Sequence, residues 1–158
     1  DLDYLMSIEN DDSFWKYSLN THSYSEEDFK SLINDSKLPA EITRQIRYVI
    51  CRSANNDRLG FIDLFNIDFD KSSAGVGIII PNKKDRNKGV GKKAISKLMK
   101  LCVEKFKIFK LYSNIEKNNT PSINCFKSVG FNEVNENSSL HIPSDSIDFD
   151  LITQFQCT

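Results

Sequence analysis

The stretch Gly75–Gly91, GVGIIIPNKKDRNKGVG, decides the fold. It begins as a strand: Ala74 to Ile80 is apolar and rich in β-branched residues, and Pro81-Asn82 stops it. Gly75 and Gly77 within that strand point to a bulge or to a close approach by another backbone or a ligand. It ends as a helix running from about Gly89 to Phe106. Val90, Ala94, Ile95, Leu98, Leu101, Cys102 and Phe106 recur there at helical spacing, with Lys92, Lys93, Lys97 and Lys100 mostly outside the stripe. Between strand and helix lies a turn carrying Lys84, Arg86, Lys88, Gly89 and Gly91. A helix N-terminus presents unpaired N–H groups and a partial positive charge, so it holds anions. Glycines let the backbone approach such an anion closely.

Working outward, Phe109 to Ile115 is the next strand, and a strand-helix-strand unit of this length pairs its strands in parallel by a right-handed crossover. Thr120 then caps a short helix with Pro121 at its first position and Gly130 past its end. The tail holds strands near Phe131–Val134 or Ser138–Ile142, and at Ile147–Phe155. Upstream, Leu2, Leu5, Met6 and Ile8 predict a helix from Asp1 to about Asn10, and Phe14-Trp15 anchors a further segment to the core. Ser25 followed by Glu26, Glu27 and Asp28 opens a second helix through Phe29, Leu32 and Ile33. Gln45–Arg52 and Leu59–Asn66 read as two strands joined by the turn SANNDR, a hairpin. The expected class is α+β: a mixed, mostly antiparallel sheet around one parallel β-α-β unit, with helices on both faces.

The 158 residues fit one domain, 1–158, with a real core. No stretch approaches the roughly 20 apolar residues that span a bilayer, and the start carries no signal peptide, so no membrane role and a cytoplasmic location are expected. Cys51, Cys102, Cys125 and Cys157 are scattered among apolar residues and read as buried free thiols. His22 and His141 have no cysteine or histidine cluster around them, so no metal site is expected. Net charge is −1, yet Lys83 to Lys110 holds 11 basic and 2 acidic residues. That basic third points to an anionic ligand held in one place.

Two phosphate loops fail the test. A nucleotide-binding P-loop needs G-x-x-x-x-G-K-[ST], but Gly91-Lys92 is followed by Lys93, and Arg86 stands at the first glycine. A dinucleotide fingerprint is met weakly by Gly89, Gly91 and Ala94, but it requires an acid about 20 positions on, after a strand. The acid found there, Glu104, is on the helix. What remains is R-x-x-G-x-G, Arg86-Asn87-Lys88-Gly89-Val90-Gly91. Further on stands Asn119-Thr120-Pro121-Ser122-Ile123-Asn124-Cys125-Phe126-Lys127-Ser128-Val129-Gly130-Phe131, an N-x-x-S-x-x-x-[YF]-x-x-x-G-F pattern.

In order, spacing and context these two elements resemble the coenzyme A loop and the closing signature of the Gcn5-related N-acetyltransferase (GNAT) superfamily. The resemblance runs over nearly the whole chain. It is nearest the branch holding ribosomal-protein alanine and spermidine acetyltransferases. It implies a sheet splayed around the parallel unit, and a first strand lying upstream of Asp1. It implies acetyl-CoA as co-substrate and an amine acceptor, either a small molecule or a peptide N-terminus. The backbone of Arg86, Asn87, Lys88, Gly89, Val90 and Gly91 would cradle the pyrophosphate. Ile78, Ile79 and Ile80 would pair with the pantetheine arm and polarise the thioester, and Asn119 would hold the arm's other side. Lysines of the loop and helix would meet the 3′-phosphate.

The family's reaction is direct attack of a neutral amine on the thioester, without an acyl-enzyme. The place where many relatives carry a tyrosine acid is Phe126 here, which cannot donate. Ser122 matches the serine assigned that task in the ribosomal-protein branch. His141, on a late strand, is the candidate base, with Glu116 behind it. The segment KYSLNTHSYS after Trp15 lacks the acids that polyamine-type relatives place there. The alternative function is a non-catalytic acyl-CoA-binding or sensing module of the same fold. A nucleic-acid role for the lysine-rich helix is disfavoured by the acidic remainder of the chain and by the absence of a nucleic-acid motif. A homodimer through the last strands is a further implication of the resemblance.

Overall fold

The computed structural model describes residues 2–11, 25–35, 38–133 and 139–142. Their helices are α1 (Leu2–Glu9), α2 (Glu26–Asp35), α3 (Ala40–Thr43), α4 (Val90–Leu101) and α5 (Thr120–Lys127). Their strands are β1 (Ile46–Cys51), β2 (Arg58–Asp68), β3 (Ser73–Ile79), β4 (Lys110–Asn114), β5 (Asn132–Glu133) and β6 (Ser139–Ile142), in sheet order β1-β2-β3-β4-β6-β5. β3 and β4 are parallel, and every other pairing is antiparallel. The parallel pair is the expected strand-helix-strand unit with α4 as its crossover. Both candidate tail segments, near Phe131–Val134 and Ser138–Ile142, become strands and pair with one another. The tail strand expected at Ile147–Phe155 and the Phe14-Trp15 anchor lie outside the described residues.

Strand alternation sorts the side chains onto two faces. On one, Ile50, Ile62, Leu64, Val76 and Leu111 pack with Ala94, Ile95, Leu98 and Met99 of α4 and Phe126 of α5. On the other, Phe61, Val49 and Ile79 meet Leu5 and Ile8 of α1 and Ile33 of α2. Helices therefore cover both faces, as composition and periodicity led one to expect.

The sheet opens in its middle. β3 touches β4 through three residue pairs, Ser73 with Lys110, Ala74 with Leu111 and Gly75 with Tyr112. Beyond Gly75, β3 stays on β2 as far as Ile79, while β4 stays on β6 as far as Asn114. The two strands part, and from Val76 to Ile79 the β4-side edge of β3 has no strand partner among the described residues.

Local chemistry fixes the helix ends. Ser25 and Asp28 form a reciprocal cap: Asp28 N–H donates to Ser25 Oγ at 3.2 Å and Ser25 N–H to Asp28 Oδ2 at 2.8 Å. The cap of α5 is Asn119 rather than the expected Thr120, which is already helical. Pro121 has no N–H to offer, so the Asn119 side chain accepts from the next one, Ser122 N–H, at 3.3 Å. Gly130, at φ 100°, closes the helix: its N–H reaches Lys127 O, and Phe131 N–H reaches Phe126 O. The long helix expected through Phe106 is α-helical to Leu101 and then widens into a π turn, Cys102–Phe106. That turn brings Ile108 N–H onto Cys102 O at 2.9 Å, with both side chains fully buried.

Cys102 and Cys125 are free thiols. Cys51, read from the sequence as free, is disulfide-bonded. Among the described residues no helix is long and apolar enough to cross a membrane, and no group of acids, histidines and cysteines could hold a metal.

Candidate active site

The basic turn is built as a rigid shelf. After β3, Asn82 Oδ1 accepts from Lys84 N–H at 3.1 Å and starts a single 3-10 turn, Lys83–Asp85. Arg86 then folds its guanidinium back. Nε donates to Ile80 O at 2.8 Å and Nη2 to Pro81 O at 3.1 Å. The arginine of the motif thus braces the loop with its side chain. Asn87 (φ 57°) and Gly89 (φ 77°) both take the left-handed conformation. Left-handed residues in a turn ahead of a helix N-terminus are suited to turning backbone N–H groups towards an anion.

The two glycines of the motif differ in purpose. A Cβ on Gly89 would meet nothing within 4 Å, so its φ and the open space before it are what matter. A Cβ on Gly91 would lie 2.9 Å from Cys125 Sγ, and 3.7 and 3.8 Å from the Ile80 and Ile78 side chains. Gly91 is small because α4 and α5 pack there, a reason other than the close approach to an anion inferred from the sequence.

A continuous cleft of about 2520 Å³ runs along the opened sheet, from the loop to the face under α1 and α2. Of the residues singled out in the sequence, Ile78, Ile79, Ile80, Arg86, Asn87, Gly89, Val90, Gly91, Asn119 and Ser122 line it. Lys88 is exposed beside it. Ser122 stands in the first turn of α5, and Asn119 spends its carbonyl oxygen on the cap. Phe126, in the tyrosine's place, is 1% exposed and packs edge-on against Phe131 at 4.9 Å between ring centres. Cys125 also lines the cleft, and burial pushes its thiol pKa up, partly opposed by Lys92. His141 is placed by register alone, opposite Tyr112 of β4 and Asn132 of β5. Glu116 lies just past β4 and lines the cleft.

Sequence reasoning missed the other half of the cleft. Arg47 of β1, Asp63 of β2 and Gly77 of β3 are direct cross-strand neighbours in register, on the face that meets α1 and α2. Arg47 grips Asp63 with two bonds, Nε to Oδ1 at 2.8 Å and Nη2 to Oδ2 at 2.7 Å, and its guanidinium lies over the Phe61 ring at 5.4 Å. A Cβ on Gly77 would meet only the Phe65 ring, at 3.7 Å. Asp63 therefore stands one strand spacing, about 4.8 Å, from an open place at the edge of β3. Gly75, by contrast, is a glycine because the Phe65 ring lies over it, 2.3 Å from where a Cβ would be. That ring stands edge-on to Tyr112.

Comparison with known proteins agrees with this geometry. The sequence matches the acetyltransferase (GNAT) domain family over residues 1–132. The fold is similar to that of spermidine N-acetyltransferase from Vibrio cholerae, whose structure is in complex with CoA and spermine. Identity is 19%, coverage 90% of this chain and 89% of that one, and the TM-score 0.77. It is also similar to Mycobacterium smegmatis RimJ in complex with CoA-disulfide, at 15% identity, 90% and 77% coverage and a TM-score of 0.75. With the matched family spanning most of its length, the chain belongs to the GNAT acetyltransferases, enzymes that use acetyl-CoA as co-substrate.

Proposed function

We propose that acetyl-CoA lies across the opening between β3 and β4, with its pyrophosphate on the backbone N–H groups of Arg86 to Gly91. The pantetheine arm runs along Ile78 to Ile80 as an added strand, and the amide of Asn119 faces it from α5. The observation that carries this reading is the parting of β3 from β4 at the end of the anion-binding turn. Among the described residues, the β3 edge that has no strand partner there leads, through the Lys83–Asp85 turn, to a loop that holds Asn87 and Gly89 in the left-handed conformation.

The acceptor is a primary amine, on a small molecule or at a peptide N-terminus, and it enters from the α1/α2 side over Gly77. Asp63, paired with Arg47, receives it as a cation. The spermine bound by the Vibrio cholerae relative makes polyamines one class to test. Once neutral, the amine nitrogen attacks the thioester carbon. The C–N bond forms as the C–S bond breaks, and backbone N–H groups of Ile78 to Ile80 stabilise the oxyanion. Ser122 Oγ delivers a proton to the departing thiolate and is reprotonated from solvent. The amine's proton leaves to His141 or through water to Glu116. Proximity in this ternary arrangement supplies much of the acceleration. The protein acts in the cytoplasm, and pairing of two copies through the late strands is compatible with this arrangement.

The test is thiol release from acetyl-CoA with spermidine, spermine and short peptides bearing free or blocked N-termini. Amine-dependent release that blocking abolishes is expected. Tight CoA binding with no amine-dependent release across the panel would overturn the catalytic part of the reading.

A further inference from the structure

Among the described residues Asp85 is the one charged side chain that is buried, at 6% exposure. It closes the 3-10 turn immediately before the loop that receives a pyrophosphate. A lone carboxylate there would oppose the ligand's charge. Its charge is matched instead by Arg52, whose Nη2 donates to Asp85 Oδ1 at 2.9 Å. Arg52 opens the turn between β1 and β2 and is itself anchored. Its N–H donates to Asp57 O and its carbonyl accepts from Asn56 N–H, both at 2.8 Å. Its guanidinium also lies 3.8 Å from the Asp57 carboxylate.

The turn is thus pinned from two sides. Arg86 ties it to the end of β3, and Asp85 ties it to the hairpin turn between β1 and β2. A third element closes the same cluster. Tyr4 of α1 has a buried hydroxyl with no hydrogen-bond partner, and Arg58 lies 5.5 Å from its ring centre. Burial pushes the Tyr4 phenol pKa up, Arg58 draws it down, and Asp85 pushes it up again.

We propose that Asp85 and Arg52 are positioning residues of the acetyl-CoA site: their ion pair sets the orientation of the 86–91 cradle before ligand arrives. A loop held in its binding geometry loses less freedom on binding, and that saving appears as affinity. The proposal rests on the placement of the pyrophosphate given above. Neither side chain meets the acceptor or the thioester, so the effect falls on acetyl-CoA affinity and leaves the chemical step alone.

The experiment is calorimetric titration of CoA into wild type, Asp85→Asn, Arg52→Gln and Arg52→Lys, with steady-state kinetics on each. Loss of one charge-assisted support is expected to weaken CoA binding about tenfold, equivalent to about 1.4 kcal/mol. The acetyl-CoA KM rises in step, while kcat and the acceptor KM stay within about twofold and Arg52→Lys recovers part of the affinity. Should Asp85→Asn fail to fold, Arg52→Gln carries the test, since Arg52 is 44% exposed and its removal leaves the core intact. Wild type that binds CoA beside a folded Asp85→Asn or Arg52→Gln that binds equally overturns this proposal alone. Wild type that binds no CoA overturns the placement of the pyrophosphate, and the proposal with it. Equal changes in both KM values and kcat would mark the pair as merely structural and refute it too.

Discussion

Replacing Gly89 and Gly91 in turn by alanine should give opposite signatures, although the two positions are two residues apart. At Gly89 the left-handed φ of 77° strains an alanine, while its Cβ meets nothing within 4 Å. The strain is about 1–2 kcal/mol. In a chain of this length that lowers Tm by roughly 2–8 °C. The new methyl enters the space assigned to pyrophosphate, so CoA affinity should fall at least tenfold, about 1.4 kcal/mol. At Gly91 the methyl meets Cys125 Sγ at 2.9 Å, which forces α4 or α5 to shift. Overpacking of this kind costs about 1–3 kcal/mol, offset by up to about 1 kcal/mol of helix propensity. The diagnostic is coupling: adding Cys125→Ala should restore stability, with an interaction of about 0.5–3 kcal/mol. Urea unfolding gives the stability of the four variants and calorimetry their CoA affinity. Normal CoA binding by Gly89→Ala, or a Gly91→Ala defect that Cys125→Ala leaves untouched, would refute the division of labour between the two glycines.

Three further outcomes follow from other residues. Gly77→Val fills the open place beside Asp63, so it should raise the acceptor KM at least tenfold while CoA affinity stays within about twofold, about 0.4 kcal/mol. Ser122→Ala should lower kcat by about 10²-fold or more with little change in either KM, the pattern for a lost proton donor. Burial raises the Cys102 thiol pKa from 9.0 to about 12. A folded pKa above the unfolded one gives stability that is complete below about pH 9 and lost as pH climbs towards 12. Alkaline unfolding should therefore steepen from pH 9, by about 1.4 kcal/mol per pH unit, and Cys102→Ala should flatten that limb in urea titrations.

The fold was legible wherever a residue carried a local constraint. Pro81 and Asn82 end β3, the apolar stripe of α4 is periodic, and Ser25 and Gly130 mark helix ends. The loop was legible for the same reason, since Gly89 does need φ above zero. What escaped depends on which distant residues the sheet brings together. Arg47 and Asp63 are 16 residues apart, and Arg52 and Asp85 are 33 apart. Register alone makes each a pair, and no spacing rule announces it. Gly75, Gly77 and Gly91 were recognisable as sites of close approach or altered backbone, but the neighbour was not. It is the Phe65 ring, pressed close at Gly75 and at ordinary contact distance at Gly77, and a thiol at Gly91. The π turn after Leu101 was equally hidden, because the apolar stripe that predicts a helix continues through it.

The binding of acetyl-CoA on the 86–91 cradle is tested most directly by thermal unfolding of wild type and Gly89→Trp, with and without acetyl-CoA. At about 100 times its dissociation constant the ligand adds roughly 2.7 kcal/mol to the folded state. For a chain of this size that is a rise of about 5–10 °C in Tm. The expected result is that rise in wild type and none in a folded Gly89→Trp. No shift in wild type at millimolar acetyl-CoA, or an equal shift in both proteins, would contradict the placement of acetyl-CoA on this loop.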